Sequence, residues 1–208
     1  MPKAVINLVS SKAIFGSTHK VLTELLPKFG ITTSFVAAND YNGYERAITK
    51  STKLIYVETP SNPGLDIIDL ERLSEICKRK NILLVVDNCF ATPVIQRPAE
   101  FGADIIIHSA TKYLDGQGRT MGGIILSSHE IISKVRAFAR HSGPALSPFN
   151  AWILSKSLET LYIRVERHSQ NAFEIAKRLE SHVKVKQVRY PFLESHPGFE
   201  IAKQQMKL

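Results

Sequence analysis

Short runs that are apolar almost throughout recur along this chain, and they alternate with stretches of helical spacing. Leu54-Ile55-Tyr56-Val57-Glu58, Ile82-Leu83-Leu84-Val85-Val86-Asp87, Ile105-Ile106-Ile107 and Gly122-Gly123-Ile124-Ile125-Leu126 all lack the polar-out alternation of a half-solvated strand. Strands of that kind bury both faces, and the helices between them supply the cover. The pattern predicts an α/β fold of three layers, a mostly parallel sheet between two sets of helices.

Residues 4–9 and 32–37 read as further strands. Between them, Ser17 is placed to cap a helix running to about Phe29, with Val21, Leu22, Leu25 and Leu26 as its apolar stripe and Gly30 as its stop. A short helix is expected near Tyr44 to Ile48. Thr59-Pro60-Ser61-Asn62-Pro63 cannot be helical. Asp69 is expected to cap a helix from Leu70 to about Lys80, and Pro93 to Phe101 to form a turn or short helix. Later helices are expected at about His129–Arg140, Pro148–Ser157 and Thr160–Ser181. Lys184 to Tyr190 then reads as one strand and Gly198 to Met206 as one helix, too little for a domain. The expected division is a large domain over residues 1–182 and the opening of another unit over 183–208.

The net charge of +8 raises the question of nucleic acid. The charges are scattered, and the densest cluster, Lys78-Arg79-Lys80, closes a helix, where cations suit the dipole. A solvated basic face is the expectation, with no nucleic-acid partner. No apolar run approaches the roughly 20 residues of a membrane span, and Met1 to Asn7 has no signal-peptide pattern. A cytoplasmic location is therefore expected. The two cysteines make no disulfide framework. Cys77 falls in step with Leu70 and Leu73 as a core residue, and Cys89 is read as filler near a strand end, with no Cys/His metal constellation beside it.

The chemistry gathers at strand ends. Parallel strands place their carboxyl ends on one edge of the sheet, where ligands bind in open α/β folds. Three of these ends carry polar groups: Glu58 with Asn62, Asp87, and Ser109-Ala110-Thr111-Lys112. A lysine delivered by an apolar strand is costly unless its charge is paired, its pKa lowered or its nitrogen used covalently. Lys112 is read as a Schiff-base lysine for pyridoxal 5'-phosphate. That cofactor needs a carboxylate at its ring nitrogen, donors for its phosphate and a flat residue on its ring. Asp87, the Ser109 and Thr111 hydroxyls, and Phe15 are positioned to supply them, and Asn62 to bond the ring oxygen or a substrate carboxylate. His108 and His168 are both expected to be packed histidines, the latter on a helical face with Leu161, Val165, Ala172, Ile175 and Leu179. Gly116-Gln117-Gly118-Arg119 only weakly suggests a phosphate loop, since no lysine-hydroxyl pair ends it.

Glu58-Thr59-Pro60-Ser61-Asn62-Pro63, Val86-Asp87-Asn88, Gly102-Ala103-Asp104, His108-Ser109-Ala110-Thr111-Lys112-Tyr113 and Ser195-His196-Pro197 stand in an order and spacing that together resemble a known family. It is the Cys/Met metabolism (trans-sulfuration) class of pyridoxal-phosphate enzymes, which share the aspartate-aminotransferase-like fold, PLP fold type I. The resemblance implies that Lys112 is the Schiff-base lysine, Asp87 the partner of the ring nitrogen, Ser109 and Thr111 phosphate ligands, and Asn62 a neighbour of the cofactor oxygen and the substrate carboxylate. Most members carry tyrosine where Phe15 stands; phenylalanine can stack on the ring but cannot transfer a proton. Phe15-Gly16-Ser17-Thr18 and Tyr113 to Arg119 look most like the O-succinylhomoserine sulfhydrylase branch. The implied reaction is replacement at the γ-carbon of an O-acylhomoserine by a sulfur nucleophile, in a homotetramer. The resemblance also implies an N-terminal arm, a Gly-Met phosphate segment and a carboxylate-binding arginine that this sequence does not contain. The chain is therefore expected to be a fragment, with apolar surface exposed where missing parts would pack.

Overall fold

The structure, a computed structural model, describes residues 6–207. Ala4 and Val5 of the first expected strand lie outside the described residues. Six strands form one sheet: β1 (Ile6–Ser11), β2 (Ile31–Val36), β3 (Thr52–Glu58), β4 (Leu83–Asp87), β5 (Ile105–Ser109) and β6 (Gly123–Ser127). Their order is β2-β1-β3-β4-β5-β6; neighbours are parallel except β5 and β6, which are antiparallel. The chain steps from β1 to β2 on one side and from β3 onward on the other. That reversal opens a crevice at the carboxyl ends of β1 and β3.

Eight α-helical segments flank the sheet among the described residues: α1 (Gly16–Lys20), α2 (Tyr41–Ala47), α3 (Leu70–Lys80), α4 (Thr92–Ile95), α5 (His129–Ser142), α6 (Pro148–Leu158), α7 (Leu161–Glu180) and α8 (Phe199–Gln205). α3 shows how local chemistry makes them. Leu70, Leu73, Ile76 and Cys77 repeat at three and four residues and are all buried. The Asp69 side chain accepts the Arg72 N–H at 3.0 Å, and Asn81 closes the helix at φ 52°. The stripe packs on Val9, Ile55, Val57, Leu84 and Val86 of the sheet. Full burial of Leu70 and Leu73 contributes roughly 2 kcal/mol each. The Cys77 thiol is pushed up to about 12, chiefly by burial, which makes it an inert core group.

Four expectations are corrected. First, Ser17 is not a cap. Phe15 holds that position without a side-chain cap, and the helix passes from α1 into a wide π turn (Val21–Leu25) and then a tight 3₁₀ turn (Leu26–Phe29). Pro27 lacks the N–H an α-helix needs and its ring opposes the carbonyl four residues back, so the ladder changes pitch there. Gly30, at φ 77°, does end the segment. Second, cover on both faces fails at the edge. β6 returns antiparallel, without a crossover helix, and leaves Ile125 and Leu126 exposed; β5 is only half-buried. Phe138, Phe149, Trp152 and Ile163 on α5–α7 also face solvent. Third, Lys184 to Tyr190 forms no strand. Arg189 instead reaches back to Asp66 Oδ1 at 2.8 Å and to the Gly64 carbonyl at 2.7 Å. The fourth concerns His168 and belongs to the site.

The last helix is tied to the sheet by buried amides. Gln205 Nε2 donates to the Ile68 carbonyl at 2.8 Å and to Gln96 Oε1 at 3.1 Å, while its Oε1 accepts the Leu70 N–H at 3.2 Å. Gln96 Nε2 passes the contact on to Asn88 Oδ1 and to the Thr59 carbonyl, both at 2.9 Å. Fully satisfied buried networks of this kind specify one arrangement of the turns they join.

Candidate active site

The register of the sheet assembles the site. Glu58 and Asp87 are paired residues at the carboxyl ends of β3 and β4. Ser109 ends β5, and the next turn, Ala110–Leu114, carries Thr111 and Lys112. The turn is not helical through Lys112, whose backbone sits at φ −88°, ψ −125°. The segment after β1 brings Phe15 across the topological switch. A cavity of about 580 Å³ is lined by Phe15, Asn62, Asp87, Ser109, Thr111 and Lys112, so the structure brings together all six site residues read from the sequence. Glu58, Cys89, Phe90, Tyr113, Gly116 and His168 complete the wall.

The electrostatics are those of a site short of a cation. Burial raises the Asp87 carboxyl above its ordinary value. Two hydrogen bonds oppose that rise: the Cys89 N–H donates to Oδ1 and the Tyr56 hydroxyl to Oδ2, each at 3.1 Å. Glu58 is pushed up to about 7, first by burial and then by the neighbouring Asp87 charge, against the Phe15 N–H that donates to its Oε2 at 2.6 Å. Lys112 lines the same cavity, but among the described residues neither carboxylate is in an ion pair. A protonated ring nitrogen is the group such a pair lacks, and the donor set therefore fits pyridoxal phosphate. Burial and the Asp87 charge also raise the Cys89 thiol, which argues against a thiolate nucleophile there.

The hydroxyls differ. Thr111 Oγ1 accepts the Gly122 N–H at 3.1 Å and lies 3.4 Å from the Gly122 carbonyl, so part of its capacity is already used. Ser109 makes no side-chain hydrogen bond among the described residues and keeps its donor for a ligand. Gly116 sits at φ +71°, in the left-handed region that favours glycine, and a Cβ there would displace the Arg164 guanidinium. Arg164 in turn donates to the Tyr113 carbonyl at 2.8 Å and holds the lysine turn. Arg119 points to Asp115 and Ser157, so residues 116–119 brace a turn and do not form a phosphate loop.

His168 is the fourth correction. It is exposed on the cavity wall, its ring 6.0 Å from that of Tyr113. α7 turns Leu161, Val165 and Ala176 inward, which leaves His168 at the stripe's margin and Ile175 and Leu179 partly solvated. His108 is buried, as expected. The residue the sequence reading missed is Tyr56. Strand alternation places it on the same face as Glu58, two residues on, and that was the available signal.

The high value of Glu58 has a measurable consequence. The folded chain holds this proton more tightly than the unfolded chain, whose glutamate titrates near 4.5. The resulting stability is complete below about 4.5 and lost as pH rises through about 7. Denaturant titrations of the cofactor-free chain should therefore show it less stable at pH 8 than at pH 5, with Glu58 contributing to the fall. Glu58→Gln should flatten that part of the profile. An unchanged profile would show that Glu58 titrates normally.

These features define the class: a three-layer α/β domain with a lysine and an unneutralised carboxylate pair at the switch edge of its sheet. The chain belongs to the Cys/Met metabolism PLP-dependent enzyme family, whose model matches residues 3–208. It is 45% identical over 199 residues to an O-succinylhomoserine sulfhydrylase of Pseudomonas aeruginosa, covering 96% of this chain and 49% of that protein. It is 42% identical over 208 residues to an L-methionine γ-lyase of Fusobacterium nucleatum, covering 99% of this chain and 53% of that one. A crystal structure of cystathionine γ-lyase from Lactobacillus plantarum, complexed with L-serine, superposes with a TM-score of 0.95 at 34% identity, covering 99% of this chain and 54% of that one. The chain thus spans about half the length of the curated relatives it matches. The fold is the aspartate-aminotransferase-like fold of these enzymes, and pyridoxal phosphate is the family's cofactor.

Proposed function

We propose that this chain supplies the cofactor-binding large domain, over residues 1–182, of an enzyme that replaces the γ-substituent of O-succinylhomoserine by sulfide, giving homocysteine. Residues 183–208 open the following domain in this reading, and the setting is a cytoplasmic homotetramer. The observation that carries it is the convergence of Lys112 with the uncompensated carboxylates of Asp87 and Glu58 in one cavity. The similarity to an O-succinylhomoserine sulfhydrylase supports the choice of substrate.

Pyridoxal phosphate, when bound, supplies the electron sink that makes the substrate's α- and β-protons removable. The chain's own residues do the rest. Lys112 Nζ would hold the cofactor in the resting enzyme and, once the substrate amine has displaced it, would be the free amine placed to take the proton from the substrate α-carbon. Asp87 holds the ring nitrogen's proton. Ser109, and Thr111 with its remaining capacity, bind the phosphate. Asn62 orients the ring oxygen or the substrate carboxylate. Phe15 covers the ring and has no hydroxyl to move a proton, which concentrates proton transfer on Lys112.

A second reading, γ-elimination or γ-synthase chemistry, is favoured by the comparable likeness to an L-methionine γ-lyase. A third is a remnant that binds the cofactor without turnover. The test loads the chain with pyridoxal phosphate and supplies O-succinylhomoserine with sulfide. Succinate and homocysteine are the expected products. Release of thiol, ammonia and a 2-oxo acid from L-methionine alone would move the assignment to a lyase. Bound cofactor with no turnover of either substrate would leave the third reading.

A further inference from the structure

Tyr56 belongs to no part of the site described so far except through one contact, its hydroxyl to Asp87 Oδ2 at 3.1 Å. We propose that Tyr56 is a positioning residue, whose O–H fixes the Asp87 carboxylate toward the cofactor's ring nitrogen and keeps the shared proton on that nitrogen. The proposal rests on the cofactor role of Asp87 given above.

The sheet builds the contact. In the β3–β4 register Tyr56 pairs with Val85 and Glu58 with Asp87, so Tyr56 stands diagonal to Asp87 on the same face. Only a long side chain spans that diagonal. Each Asp87 oxygen then accepts one donor: the Cys89 backbone N–H on Oδ1 and the Tyr56 phenol on Oδ2. The Cys89 N–H belongs to the turn whatever the side chains are. Tyr56 is the side-chain donor, and so the one that substitution can remove.

The chemistry follows from competition for a proton. A carboxylate facing a ring nitrogen shares a proton with it, and the more basic partner keeps it. Burial makes the Asp87 carboxylate more basic. A donated phenol hydrogen bond stabilises the ionised carboxylate and works in the opposite direction. The other ionisable groups on this cavity are Glu58 on β3, Cys89 after β4, Lys112 and Tyr113 after β5, and His168 on α7. Burial also raises the Tyr56 phenol itself, first among its causes and with Asp87 next, so it stays a donor through neutral pH.

The test compares the full chain with Tyr56→Phe, which keeps the ring and deletes one oxygen. In the cofactor-free chain, carboxyl-labelled aspartate followed by NMR should show the Asp87 midpoint rise by about one pH unit. With pyridoxal phosphate, the apparent Kd read from the visible band should weaken about tenfold, and the pH midpoint of that band should move. Asp87→Asn supplies the background: in it, Tyr56→Phe should change neither affinity nor pH profile, whereas a merely structural tyrosine would cost the same in both backgrounds. Unchanged Asp87 titration and cofactor affinity in Tyr56→Phe would overturn the proposal while leaving the site intact. Cofactor affinity unchanged in Asp87→Asn would instead overturn the site assignment, and this proposal with it.

Discussion

Lys112→Ala is expected to abolish the shifted visible band that pyridoxal phosphate gives on binding, and to leave no borohydride-trappable adduct in the chain. Lys112 is the one lysine on the cavity wall among the described residues. Two basic residues that brace the turn after Lys112 are already engaged: Arg164 with the Tyr113 carbonyl and Arg119 with Asp115. Neither is a primary amine, so no neighbour replaces the nucleophile. Alanine keeps the Cβ that lysine has and so asks nothing new of the non-helical backbone at position 112. The turn should persist, held by Arg164, and the cofactor's phosphate and ring nitrogen should still find Ser109 and Asp87. The expected phenotype is therefore weakened noncovalent binding with turnover down by at least about 10³-fold, the usual scale for losing a combined base and nucleophile. Peptide mapping after reduction is the decisive measurement. A cofactor mass found on another lysine, with the band intact, would sink the assignment.

Asp87→Asn is expected to separate two properties that the wild-type site trades against each other. The amide cannot hold a ring-nitrogen proton by charge, so cofactor affinity should fall roughly ten- to a hundredfold, the cost of losing a charged hydrogen bond. The cofactor-free chain should become more stable. Asp87 titrates above its ordinary value in the fold because burial penalises its charge. Its contribution to folding is complete at acid pH and is lost as pH rises through the elevated folded value. An asparagine carries no such penalty, and its Oδ1 still accepts the Cys89 N–H. The variant should thus melt higher than wild type at pH 8, with the gap closing toward pH 4. Equal melting temperatures at pH 8 would show that the Asp87 charge is not penalised as the burial implies.

Much of this site was legible in the sequence because its parts sit at places that local rules mark well. Lys112, Asp87 and Ser109 are the polar residues at which apolar strands end, and parallel pairing alone brings such ends together. Asp69 announced its helix by position, and the Asp69–Arg72 cap is the result. What was not legible needed distant partners. Val188 and Tyr190 alternate as a strand would, but a strand forms only against an open edge, and the edges of this sheet are β2 and β6. The rotation of α7 could not be read from a wide apolar stripe; Val165 and Ala176 settle it by packing inward, and His168 follows to the cavity. Ser17 satisfied a capping rule, while Pro27, ten residues on, decided the pitch of the segment. Tyr56 looked like one more apolar strand residue, and only the β3–β4 register reveals what its hydroxyl meets.

The buried amide relay has a consequence for the order in which the molecule is made. Gln205 meets Gln96 across 109 positions of sequence, and Ile68 across 137. On a growing chain, β3, β4 and the turns that carry Glu58 and Asp87 are synthesised long before the residue that completes their hydrogen bonding. During that interval Gln96 and the Ile68 carbonyl lack their Gln205 partner, and contacts of such separation are slow to form. Pulse-labelling of stalled ribosome–nascent chains should therefore find the Leu70 amide, whose acceptor is Gln205 Oε1, open to exchange until residue 205 has emerged from the ribosome, and protected afterwards.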